Sequence, residues 1–379
     1  MIKKVTILTA SLCLLFTMWS PAVYPLSAQG QGQITVTNSN IQADYPNSLT
    51  FSCRAQSNVD ITDIRLEYQV EQMSFAKVTS EAKIIFDSSL SVNATYSFNM
   101  LQYGQIPPGV DIDYWWVIKD ATGNKLQTDP NHYIVVDTLQ KWTNSIQGKI
   151  NLYWYGQNQS FGQAIMSEAQ TALTTIANNT GATPDQTVNI TVYTSGQDYM
   201  ASVMGVPEWS GGIELSRYNS IFVVIDPGAL NLDLPAVAHE LTHIVVGQIT
   251  SNPYNSIPFW LNEGLAMNIQ YAGANLPSRF TTLLSSAITN NNLISVRSLS
   301  DPFSAYADKA DLSYAESVSV VAYLIKQYGS SKMNQLLETF HQGSTYDGAL
   351  QANYGFDMDG LFNQWKAWVT AGNGNQLIH

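Results

Sequence analysis

Charge and cysteine are both scarce in this sequence, and each shortage excludes something. Charged residues make up 12% of the 379 positions, with 17 basic against 29 acidic side chains. No lysine or arginine run stands outside the first few residues, so a phosphate-tracking surface, and nucleic acid as a partner with it, is not expected. The two cysteines, Cys13 and Cys53, exclude a disulfide-stapled mini-domain and any metal held by sulfur pairs. No apolar run reaches the roughly 20 residues that a membrane-spanning helix needs. Polarity is carried instead by Asn, Gln, Ser, Thr and Tyr, which suits an extracellular surface.

What is present begins with an export signal. Lys3 and Lys4 precede an apolar stretch from Val5 to Met18, and Leu26-Ser27-Ala28 offers small residues at a cleavage edge. Residues 1–28 therefore read as a signal peptide and the protein as secreted or held at the cell surface, with retention of the leader as an anchor the alternative. Cleavage would remove both lysines, leaving 15 basic against 29 acidic residues, a balance of −14, and Cys53 alone. No stable membrane insertion is expected after cleavage.

Residues 33–138 read as an all-β module of immunoglobulin- or fibronectin-like sandwich type. Short alternating runs recur at Gln33–Thr37, Leu49–Cys53, Ile64–Tyr68, Thr95–Phe98 and Ile112–Ile118, the last entering a turn at Asp120–Asn124. Cys53 is expected to be buried in a strand and the pair Trp115-Trp116 to pack the sandwich core, with carbohydrate binding by the pair as the lesser alternative. Attachment to a cell surface is a role such a module could have. From about Lys141 the pattern changes. Strands at Ile150–Trp154 and Val188–Tyr193 flank a helix at Phe161–Asn178, and Ile213–Leu215 pairs with Ile221–Ile225 around Tyr218-Asn219. After Asp226 every strong segment is helical. Residues 147–379 thus read as an α+β domain with a mostly helical C-terminal half.

The chemistry concentrates in residues 235–249, Pro-Ala-Val-Ala-His-Glu-Leu-Thr-His-Ile-Val-Val-Gly-Gln-Ile. Asp233 is placed to cap this helix and Pro235 suits its first turn. His239 and His243, at i and i+4, share one helix face and can converge on one metal ion. Glu240 lies about 100° further around, beside the metal rather than against it, where a base for water must sit. Val246 and Ile249 occupy the places where a metzincin would carry its glycine and third histidine, so that arrangement is excluded. Glu263, 20 positions after His243, sits among Trp260, Leu261, Leu265 and Ala266 at the start of a second apolar helix. A carboxylate buried there needs compensation that a divalent cation supplies. Two imidazoles and one carboxylate leave a fourth position open, as a catalytic zinc site requires.

The segments HELTH (239–243) and WLNEGLA (260–266) resemble those of gluzincin zinc peptidases, and more specifically the peptidase MA-like domains of exported bacterial proteins. The resemblance runs over roughly residues 147–370 and continues through Tyr314-Ala315-Glu316-Ser317 to Tyr328-Gly329. It implies one Zn²⁺ per chain on His239, His243 and Glu263, with Glu240 as general base in the hydrolysis of a polypeptide, endopeptidase action being favoured. Related enzymes use a tyrosine or histidine as a second electrophile. Tyr314 is the first candidate here, with Tyr306 and Tyr218 in reserve. Gly211-Gly212-Ile213-Glu214-Leu215 is the expected substrate-binding edge strand, or merely the start of a hairpin. Where some zinc peptidases place an aspartate four positions after the third ligand, this chain has Met267. Asp226, Asp301 and Asp311 are the carboxylates considered for orienting the histidines. The competing reading is an exported binding or adhesion protein whose peptidase-like domain is structural or inactive.

Overall fold

A computed structural model of the chain describes residues 33–71, 77–103, 105–203, 211–304 and 306–372. The expected signal peptide and Cys13 lie outside the described residues. Among those described, no helix is long and apolar enough to cross a membrane.

The first half is β-rich. Its strands are β1 (Thr35–Asp44), β2 (Ser48–Val70), β3 (Ser80–Lys83), β4 (Ser89–Asn99), β5 (Asp111–Asp120), β6 (Lys125–Gln127) and β7 (Asn131–Ile134). The runs at Leu49–Cys53 and Ile64–Tyr68, which look like separate strands in the sequence, belong to the single 23-residue strand β2. Its first half pairs with β1 and β4 and its second with β3 and β5, with a register shift between Gln56 and Ile61. That irregularity lets one strand serve two layers. The layers meet over one core, where Phe51 packs against Tyr68 and Tyr114 at ring distances of 6.0 and 5.2 Å. Cys53 is buried in it, which pushes its thiol pKa up to about 12. Trp116 is fully buried, but Trp115 is not its core partner. Successive strand residues face opposite sides, and Trp115 instead donates to Glu67 Oε2 at 2.8 Å.

The second sheet holds β8 (Trp142–Gln147), β9 (Ile150–Tyr155), β10 (Val188–Tyr193), β11 (Gly212–Leu215) and β12 (Ser220–Val224) in the order β11-β12-β10-β9-β8. β8 thus joins this sheet ahead of residue 147. The three central strands are parallel and both edges antiparallel. Parallel neighbours need a crossover, and α1 (Gln159–Thr180) supplies it, capped by Asn158 and ended by Gly181 in the left-handed conformation. Short helices α2 (Gly196–Ser202) and α3 (Leu230–Asp233) precede α4 (Pro235–Thr250), α5 (Phe259–Gln270), α6 (Ser278–Thr289), α7 (Ala307–Tyr328), α8 (Ser330–His341), α9 (Tyr346–Tyr354) and α10 (Met358–Thr370).

Ile150, Leu152, Trp154, Ile190, Val192, Ile221 and Val223 face α1 and α4 and form their core. The opposite face of this sheet is covered in part by the β-rich half. There Asp137 is buried and accepts from the hydroxyls of Tyr193 and Ser202, both at 3.1 Å. Gln105 Nε2 donates to the Tyr45 hydroxyl at 2.8 Å and to the Ser202 carbonyl. The two halves are therefore joined by a buried polar network rather than by a bare linker.

Candidate metal centre

α4 carries the motif. Pro235 occupies its first turn as expected, but Asp233 does not cap it. Asp233 ends α3 and its carboxylate accepts from the backbone N–H of Asp226 at 2.8 Å. α4 packs between the sheet and α5, so its apolar residues are buried on most sides. The turn after it is held by Asn252, whose side chain accepts from Tyr254 N and Asn255 N and donates to Phe340 O. α5 then returns alongside. Gly264 presses α5 onto α7, since a Cβ there would lie 2.5 Å from the Ser317 carbonyl oxygen. The glycine after Glu263 is thus a packing requirement that brings α5 and α7 together.

His239, His243 and Glu263 converge. Their ligand atoms all lie within 4.8 Å of one another, and among the described residues no other such group of His, Cys, Asp and Glu occurs. Glu263 Oε2 is 3.5 Å from His239 Nε2 and 3.6 Å from His243 Nε2. Two ligands about 2.1 Å from a tetrahedral zinc would stand about 3.4 Å apart, so the spacing fits. His239 Nδ1 lies 2.9 Å from Gln270 Oε1, which can only accept. The proton therefore sits on Nδ1 and the Nε2 lone pair faces the carboxylate oxygen. Two lone pairs in a buried pocket repel unless a proton or a cation lies between them. The protonation energetics agree. Burial alone would depress the His239 pKa, but the hydrogen bond to Glu263 and the charges of Glu240 and Glu263 raise it overall. Burial would raise Glu263, but the two histidines bring it below its ordinary value.

Gln270 is the orienting partner that sequence reasoning missed. Of the three aspartates considered, Asp226 binds Gly228 N and Asp311 pairs with Arg279 at 3.6 Å. Asp301 makes no contact with either histidine. The signal was present: Gln270 is seven positions after Glu263, two helical turns along the same stripe, one turn beyond Met267. His243 Nδ1 is buried and has no hydrogen-bond partner.

Glu240 borders this cluster. Burial raises its pKa, the histidines oppose that, and the carboxylates of Glu214 and Glu263 add to the rise. Glu214, on β11, is a second group that the sequence reading left without a role. β11 is the sheet edge next to α4, and Gly212 on it faces the base: a Cβ there would stand 3.0 Å from Glu240 Oε1. Tyr314 on α7 feels the same charges. Burial first, then Glu263, Glu240 and Asp311, raise its pKa, so its hydroxyl stays protonated. Its ring is fixed by Phe303 at 5.2 Å. Tyr306 is exposed at the start of α7. Tyr218 is not at the site; it packs against the core of the β-rich half.

The family model described as the Peptidase MA superfamily matches residues 168–371, more than half of the chain and all of the helices above except α2's predecessor α1 in its first turns. The chain belongs to the peptidase MA superfamily. Its peptidase MA domain thus contains the His239, His243 and Glu263 cluster. No curated protein matches the chain. Solved structures similar to parts of it include wild-type OgpA from Akkermansia muciniphila, at 10% identity over 28% of this chain and 31% of that one, TM-score 0.21. A Br derivative of BhCBM56 matches at 9% identity over 26% and 89%, TM-score 0.19. Spo0M from Bacillus subtilis matches at 8% identity over 37% and 55%, TM-score 0.17. The chain spans less than a third of OgpA, and likenesses this low carry no argument about fold or activity.

Proposed function

We propose that this chain is an exported zinc-dependent peptidase acting on polypeptide, with His239, His243 and Glu263 holding the metal. The observation that carries the reading is the meeting of two imidazole nitrogens and one carboxylate oxygen at 3.5 and 3.6 Å in a buried pocket. Zinc held there would polarise a scissile carbonyl and acidify a water molecule. The chain's own groups do the rest. Glu240, with its affinity for protons raised by burial, takes the proton of the attacking water and delivers it to the leaving nitrogen. The protonated Tyr314 hydroxyl donates to the carbonyl oxygen as negative charge develops on it. β11, the edge strand of its sheet, receives the substrate as an added strand, with Gly212 leaving room for its backbone beside Glu240.

Export would proceed through residues 1–28. The two layers of β-strands over a common core support the immunoglobulin- or fibronectin-like reading of residues 33–138, and attachment to a cell surface is the role we assign to that module. The test compares the chain with a Glu240→Gln variant on a diverse peptide library, with zinc content measured on both. One zinc per chain in both proteins, with cleavage by the parent only, is the expected result. Equal cleavage by the two would remove Glu240 from its role, and no equimolar zinc in either would overturn the metal site.

A further inference from the structure

A cavity of about 430 Å³ lies between the β-rich half and the second sheet, away from the metal centre. It opens on the sheet face opposite α1 and α4. Ile150, Leu152 and Trp154 point to the helices, so Asn151 and Tyr153 between them point the other way. At the far end of the same face, Tyr155, Tyr193 and Phe222 close the joint with a packed aromatic cluster. The near end has amides and a phenol instead, around a space large enough for about 14 waters at ~30 Å³ each. Joining the two halves does not require that polarity.

The hydrogen-bond inventory shows what the cavity would accept. Asn151 Nδ2 uses both of its protons, on Tyr153 Oη at 2.7 Å and on Asn189 Oδ1 at 3.0 Å. Its Oδ1 is buried and has no partner. Tyr153 accepts in that arrangement, which leaves its own hydroxyl proton available. Asn151 thus holds the Tyr153 phenol in place while its own oxygen is sealed from the cavity, and the phenol proton is left for a ligand oxygen to accept. Across the cavity stand Glu71 and Asp111, whose carboxyls hydrogen-bond to each other, Asp111 also pairing with His132 at 3.1 Å. Lys149, also on the wall, already donates to the Asp185 carbonyl at 2.9 Å. The wall thus carries two carboxyls and one lysine, and the Tyr153 and Tyr218 rings supply apolar surface. Hydroxyl-rich rings donate to carboxyls, accept from a phenol and pack on aromatic rings, and domain interfaces are a common place for small-molecule sites of this volume.

We propose that this cavity is a saccharide-binding site, taking one or two sugar rings, and that it is separate from the metal centre. The test uses the full chain without its leader and four disaccharides as probes: cellobiose, maltose, lactose and diacetylchitobiose. Binding is followed by saturation-transfer NMR and titration calorimetry. At least one probe is expected to bind saturably, and Tyr153→Phe and Asn151→Leu should each weaken it about tenfold with zinc content unchanged. Tyr153→Phe keeps the ring and loses only the hydroxyl, so it stays informative if Asn151→Leu impairs folding. A glycan array run in parallel distinguishes sources: signal on the array means that a chain terminus enters the cavity, and signal for the free disaccharides alone means that unattached sugar does. No saturable binding of any probe or array glycan, or equal binding by parent and Tyr153→Phe, would overturn the proposal. Neither result bears on whether Glu240 is a catalytic base.

Discussion

Replacing Glu316 with glutamine should shift stability in the variant's favour by an amount that grows with pH. Glu316 is fully buried in the helical half, and its one donor among the described residues is the Ile294 N–H, 3.2 and 3.0 Å from its two oxygens. Burial pushes its pKa from 4.5 up to about 8, against the small opposing effect of that hydrogen bond. Below pH 4.5 the carboxyl is protonated in both folded and unfolded chains and imposes no pH dependence. Between 4.5 and about 8 the unfolded chain has released a proton that the folded chain still holds, so stability falls as pH rises, by about 1.4 kcal/mol per unit. Above about 8 the loss levels off. Glutamine keeps an acceptor for Ile294 N–H and does not titrate. Its advantage over the parent is then about 1 kcal/mol near pH 5, about 3 near pH 7 and about 5 near pH 9. An amide proton left unpaired would subtract about 1–3 kcal/mol at every pH, shifting the curve without changing its slope. Urea unfolding of both proteins at the three pH values, followed by circular dichroism, reads the difference. A stability difference that is the same at all three would refute the argument, because it would mean that Glu316 is already ionised in the fold.

Three further outcomes follow from the site. Tyr314→Phe should lower kcat about a hundredfold while leaving zinc content unchanged, since it removes a donor and no ligand; an unchanged kcat on peptide would rule the hydroxyl out. Gln270→Leu should weaken zinc affinity about 10- to 100-fold in competition with a chromogenic chelator, because the His239 ring loses the partner that fixes it. Wild-type affinity in that variant would show that the contact orients nothing. Gly212→Ala should displace Glu240 by a few tenths of an ångström and reduce kcat about tenfold with normal metal content, as its Cβ would meet Oε1, Cγ and Cδ at 3.0–3.2 Å. Kinetics at saturating peptide would expose a harmless substitution at once.

The sequence by itself determined the candidate trio of His239, His243 and Glu263 and the glutamate beside it. His239, Glu240 and His243 are related by the helical repeat, which is local, and Glu263 declared itself as a carboxylate in an otherwise apolar helix. The succession of strands and then helices was legible for the same reason, because alternation and 3.6-residue spacing are properties of short windows. The tertiary structure decided what depends on partners distant in the chain. Asp233 looked like a cap for α4, yet a short helix intervenes and its carboxylate turns to Asp226 instead. Two apparent strands proved to be one, because β2 is interrupted only where its neighbours change from β1 and β4 to β3 and β5. Tyr218 lay in a hairpin close in sequence to the candidate edge strand, but the β-rich half draws it to the opposite side of the sheet. Gln270 became the partner of His239 only because α5 lies along α4 at a particular rotation, which packing against α7 through Gly264 sets. Residue spacing along one element can be read from its own repeat; which side chains meet across elements is decided by how those elements pack.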